Sequence, residues 1–171
     1  MKKIICLLTI ILLSLAPALS QNESEEELPT AIEIDNPRTR GLTSYEDIEK
    51  FIAEEFKYET IEGSGWMIPF MGEEIEEIDV YVIPKGDWLL ISTYIITMPK
   101  MAKREGLWQL MEMNYSIYQG KLGIDECGDL YMLYDIPLRL VDKEELIKAI
   151  DESASYVNDN YNAIKEAVGL K

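Results

Sequence analysis

The sequence predicts an α+β domain, an antiparallel β-sheet with helices packed on it in the order α-β-β-β-α-β-β-α. Three observations predict it. Residues 66–97 hold three runs in which apolar residues alternate, separated only by short turns. Residues 121–137 alternate in the same way around Asp125-Glu126-Cys127-Gly128-Asp129, as a β-hairpin does. Helical spacing brackets both stretches, and a capping pair opens the first and the last helix.

Two segments precede the domain. Lys2 and Lys3 form a positive start, and Ile4–Leu15 is an apolar run too short to span a bilayer comfortably. Ala18-Leu19-Ser20 follows, with small residues at the positions a signal peptidase reads. Residues 1–20 are therefore expected to be a signal peptide cleaved before Gln21, with the mature chain exported to the periplasm or beyond. Cys6 lies inside the apolar run, not at its end, which argues against a lipid anchor. Residues 21–41 carry Glu23, Glu25, Glu26, Glu27, Pro29 and Pro37 with few apolar residues, and read as an acidic, flexible lead-in. A single domain is expected over 42–171.

Within it, Tyr45, Ile48, Phe51, Ile52 and Phe56 recur at helical spacing, so Ser44–Phe56 reads as the first helix. Thr43 with Glu46 fits a capping box, and Ser44 with Asp47 fits a second register. Three strands follow. Trp66, Ile68 and Phe70 alternate in the first, where Pro69 argues for an edge or a bulge. Ile78, Val80 and Val82 alternate in the second, and Trp88–Thr97 is rich in β-branched and aromatic residues. The short turns 71–74 and 84–87 make these an antiparallel meander. Pro99–Gly106 reads as a basic connector, and Leu107, Leu110, Met111 and Asn114 as a short second helix. After the hairpin, Asp142 and Glu145 cap a long helix with a stripe through Ile147, Ile150, Ala154, Val157, Tyr161, Ile164 and Val168.

These features resemble the type III secretion chaperone-like fold and, more closely, the YbjN-domain family of bacteria. The resemblance rests on a short helix closing at Asn114 and a Lys-apolar-Gly-apolar-Asp strand, Lys121–Asp125. It continues through a Gly turn into a strand ending at Pro137, and an apolar-Asp-x-Glu-Glu-Leu helix start, Val141–Leu146. It implies a non-enzymatic, often dimeric protein-binding module. The signal peptide departs from the secretion chaperones, which are cytoplasmic.

Composition narrows the function. The net charge of −16 becomes −18 once Lys2 and Lys3 are removed. Such a surface repels nucleic acid and disfavours anionic lipid. With no histidine in the chain, a Ser-His-Asp triad, a Cys-His pair and a His-containing zinc site are excluded. Cys127 is the one cysteine of the mature chain, a free thiol or an intermolecular one, and reads better as a buried or turn-shielded free thiol. No catalytic residue, metal or cofactor is expected.

Asp125–Asp129 lacks the ligand spacing of a calcium loop, since Leu130 and Met132 follow it. Glu73, Glu74, Glu76, Glu77 and Asp79 read as a solvated edge; a carboxylate-based hydrolase or metal-dependent enzyme using them is the alternative function. Trp66, Trp88 and Trp108 read as core or core-margin residues. The third strand and the 130–136 strand, however, carry apolar residues on both faces: Leu90 beside Ile91, Ile95 beside Ile96, Tyr131 and Leu133 beside Leu130 and Met132. One face packs on helices, and the other needs cover. The expected function is an exported, acidic interaction or chaperone-like module that binds itself as a homodimer and one further protein. Its expected partner-binding residues are Leu107, Trp108, Leu110, Met111, Tyr131 and Leu133.

Overall fold

The structure, a computed structural model, describes residues 43–170. The signal peptide expected over 1–20 and the lead-in over 21–41 lie outside the described residues.

The first helix, α1 (Tyr45–Glu55), starts at Ser44. The Ser44 hydroxyl accepts the Asp47 N–H at 3.1 Å, and the Asp47 carboxylate accepts the Ser44 N–H at 3.2 Å. Thr43 is not free to cap, because its hydroxyl donates to the Val141 carbonyl at 2.8 Å. That bond selects the Ser44–Asp47 register.

A short strand that the sequence reading missed, β1 (Glu59–Ile61), precedes β2 (Gly65–Phe70). The meander continues through β3 (Ile78–Lys85) and β4 (Trp88–Thr97). The chain then forms α2 (Arg104–Ser116), β5 (Gly120–Ile124), β6 (Asp129–Pro137), a single 3-10 turn at Leu138–Leu140, and α3 (Lys143–Val168). The second helix thus begins inside the stretch read as a connector. β1 pairs with β2 only from Gly65 to Met67, so Pro69 sits where β2 is again an edge. An edge position leaves its missing N–H without consequence for a ladder.

All pairings are antiparallel, in the order β1-β2-β3-β4-β6-β5. The hairpin therefore docks through its second strand, with β6 beside β4 and β5 at the edge. Val80, Val82, Leu89, Ile91, Leu130 and Met132 form the inner face. α3 lies across that face against β3, β4 and β6; α1 packs on α3, and α2 on α3 and the β5 edge. The long helix is capped by the Asp142 carboxylate, which accepts the Glu145 N–H at 2.9 Å, and ends on left-handed Gly169. It buries Leu146, Ile150, Val157 and Ile164; Ile147 and Tyr161 of the expected stripe are only partly covered. One polar pair crosses the layers, the Thr93 and Ser153 hydroxyls 2.7 Å apart and fully buried.

One expectation about the two faces is corrected. The register shifts between Tyr94 and Ile96, and both Ile95 and Ile96 are buried. A bulge sets two successive residues on one side of a strand, so this pair belongs to the core and does not give β4 a second apolar face. Cys127 is also corrected: the turn leaves it exposed.

Candidate interaction surfaces

With all three helices in one layer, the second face of the sheet has no covering element among the described residues. The register aligns its side chains in rows. Met67, Tyr81, Ser92, Leu133 and Lys121 succeed one another across the strands, as do Ile83, Leu90 and Asp135, and Tyr94 faces Tyr131. A surface depression of about 590 Å³ lies here, lined by Tyr81, Ile83, Tyr94, Tyr131 and Leu133, with Ser92 among its lining residues. Gly123 helps to make the space. A Cβ there would meet the Leu133 side chain at 2.7 Å, so Leu133 leans over the glycine.

The chemistry of this face differs between its ends. At one end the Tyr94 and Tyr131 rings meet edge to face, 5.8 Å apart. Burial, and then the nearby Asp125 and Asp129 carboxylates, push the Tyr131 hydroxyl above its ordinary pKa. Asp79 precedes Val80 at the same end of β3, and one of its carboxylate oxygens is buried without a hydrogen-bond partner. Further along, Lys121 is paired with Asp135. Lys85 stands beyond, at the β3–β4 turn.

A second apolar surface lies on α2. Leu110 turns inward and is only 6% exposed, which places it in the core, not on the surface expected for it. Leu107, Trp108 and Met111 face solvent, and Trp108 is 65% exposed. The Trp108 indole N–H donates to Glu112 at 2.9 Å. Tyr115, 93% exposed, extends the row, since Trp108, Met111 and Tyr115 follow at spacings of three and four. The six expected partner-binding residues are therefore not one patch. Tyr131 and Leu133 lie on the open sheet face, Leu107, Trp108 and Met111 on the helical layer, and Leu110 beneath it.

Tyr81, Ile83, Tyr94 and Tyr115 belong to these surfaces and were not singled out from sequence. A signal existed for Tyr81 and Ile83, as apolar residues at the outward positions of an alternating strand. Trp66 is buried as expected, whereas Trp88 and Trp108 are exposed.

The acidic stretch begins as a loop anchored by its backbone. The Glu73 and Glu74 N–H groups donate to the Asn158 side-chain oxygen at 2.7 and 3.1 Å, which pins the loop to α3. The side chains of Glu73, Glu74, Glu76 and Glu77 remain in solvent. Among the described residues no group of three or more metal-ligating side chains is gathered. In the hairpin turn, the Asp125 carboxylate accepts the Cys127 and Asp129 N–H groups at 2.9 and 2.8 Å, so it closes the turn.

Residues 76–156 match the Tir chaperone protein (CesT) family. Among solved structures, the chain is similar to YbjN from E. coli at 14% identity and a TM-score of 0.55, covering 72% of this chain and 94% of that one. It is also similar to a chain of the ExsC–ExsE complex, at 12% identity and a TM-score of 0.52, covering 71% and 96%. No curated protein sequence matches the chain. These likenesses establish the fold, and the resemblance read from residues 107–146 holds at that level.

Proposed function

We propose that this protein is an exported, non-enzymatic, chaperone-like module that binds another protein on the open face of its sheet and pairs with itself through α2. The observation that carries the reading is the uncovered sheet face. Tyr81, Ile83, Leu90, Tyr131 and Leu133 are apolar or aromatic, lie side by side, are partly exposed, and have no helix over them among the described residues. Contiguous exposed apolar surface favours association, because burial removes it from water at about 25 cal/mol per Å². The match of residues 76–156 to a chaperone family supports the same reading, as does similarity to a chain solved in complex with ExsE.

The exposed row Leu107, Trp108, Met111 and Tyr115 supports self-pairing, since a two-fold contact buries one such row against its own copy. Export rests on the positive start, the apolar run and the small residues before Gln21.

A photo-crosslinking residue at Leu133 tests the binding reading in cells that make the protein. The expected result is one discrete adduct at Leu133 and none with the same probe at Glu144, an exposed position on α3. Equal labelling at both positions, or none at Leu133, refutes it. Sedimentation at micromolar concentration tests the pairing, and a monomer throughout ends it. Mass spectrometry tests export: a mature chain beginning at Gln21 is expected, and an intact Met1 contradicts it.

A further inference from the structure

We propose that the open sheet face takes an extended, basic segment of its partner, with a lysine or arginine seated at the Tyr94–Tyr131 end and apolar side chains along Leu133 and Ile83. This deepens the protein-binding reading above and rests on it.

Charge selects the occupant. Three carboxylates, Asp79, Asp125 and Asp129, stand around the Tyr94–Tyr131 end, and none has a salt bridge among the described residues. The register that sets Val80 opposite Thr93 brings Asp79 to the Tyr94 end of the face. Asp79 is half-buried, with one oxygen shielded from solvent and unpaired, so its charge is less screened than that of a fully exposed carboxylate. The Asp125 and Asp129 oxygens already accept backbone or Thr97 donors, yet their charge remains. Tyrosine rings also attract a cation over their faces. A second copy of this chain is a poor occupant. It carries the same three carboxylates and a net charge of −16, and the cations it offers on this face are Lys121, already paired with Asp135, and Lys85 at the far turn.

Shape selects an extended segment. The depression is shallow and crosses strands β3, β4, β6 and β5, with the small Ser92 side chain at its floor. An extended chain presents every second side chain to one side. One bearing basic and apolar residues at alternate positions on that side would meet the carboxylates and the apolar row together.

The experiment titrates the purified protein with three synthetic peptides while its amide resonances are followed. One repeats Ser-Lys-Ser-Val, one Ser-Glu-Ser-Val and one Ser-Ser-Ser-Val. The lysine peptide is expected to shift the amides of Tyr81, Tyr94, Tyr131 and Leu133 and to bind about tenfold more tightly than the other two. Asp79→Asn, which keeps the shape and removes the charge, is expected to abolish most of that preference, as is Tyr131→Ser. Equal binding of the lysine and glutamate peptides on this face overturns the basic preference and leaves the protein-binding reading standing. A lysine peptide that prefers another surface, or whose affinity Asp79→Asn leaves unchanged, overturns the inference as well. If no peptide binds, the inference fails, and the Leu133 crosslink decides the broader reading separately.

Discussion

Replacing Gly106 by alanine should destabilise the protein, although alanine is the better helix former. Gly106 is buried in α2 where that helix crosses α3, and a Cβ there would lie 1.8 Å from the Ala167 carbonyl oxygen. Two effects of opposite sign compete. In the first turn of α2, where Gly106 lies, glycine to alanine gains at most the helix-interior value of about 1 kcal/mol. Against it, the obstructing atom is backbone, so no rotamer change relieves the contact. Alanine has no side-chain torsion to adjust either. Real Cβ contacts essentially never fall under 3.0 Å, so the helices would have to part by more than about 1 Å. Overpacking of this kind costs about 1–3 kcal/mol, and separating α2 from α3 also loosens the packing around Leu110. The net expectation is a loss of about 1–2 kcal/mol, after the propensity gain is set against the clash. Urea unfolding followed by tryptophan fluorescence measures it. A Gly106→Ala protein as stable as the parent, or more so, would refute the close crossing of α2 and α3.

Three further outcomes follow from particular contacts. Asn114→Ala removes the side-chain oxygen that accepts the Leu122 N–H at 2.7 Å, leaving an edge donor of β5 unpaired; a loss of about 1–2 kcal/mol and faster exchange of the Leu122 amide are expected. Trp108→Glu should yield a folded monomer by sedimentation and circular dichroism, whereas Leu110→Ala, at a buried position, should cost about 2–4 kcal/mol in denaturant. Unchanged association of the first contradicts pairing through α2, and unchanged stability of the second contradicts the inward placement of Leu110. Burial, and then the Glu152 carboxylate, push the Tyr134 hydroxyl to about 12. Tyrosine unfolds to an ordinary pKa near 10, so above that value the unfolded chain loses its proton first. The folded state then binds more protons, and stability should fall as pH rises from about 10 to about 12 and level off beyond, by about 2 kcal/mol for this group. Tyr134→Phe should flatten that part of a pH series of urea midpoints, and an unchanged slope would rule out Tyr134 as its source.

The sequence alone determined most of the elements, because their signals are local. Alternation in Ile78–Val82 and Leu130–Ile136 reports a strand with one dry face, and the Ser44–Asp47 and Asp142–Glu145 pairs mark helix starts within four residues. Leu133 and Tyr131 were legible as outward apolar residues for the same reason. What stayed hidden depended on neighbours distant in the chain. β1 is three residues without alternation, and it exists because β2 offers it an edge. The bulge that turns both Ile95 and Ile96 inward is a matter of register against β6. On α2, Leu107, Leu110 and Met111 look alike in sequence. Only the packing of that helix on α3 and β5 sends Leu110 inward and leaves its two neighbours, with Trp108, on the surface. The open sheet face was likewise decided by the tertiary structure, since no residue pattern states that α1, α2 and α3 all pack on the same side.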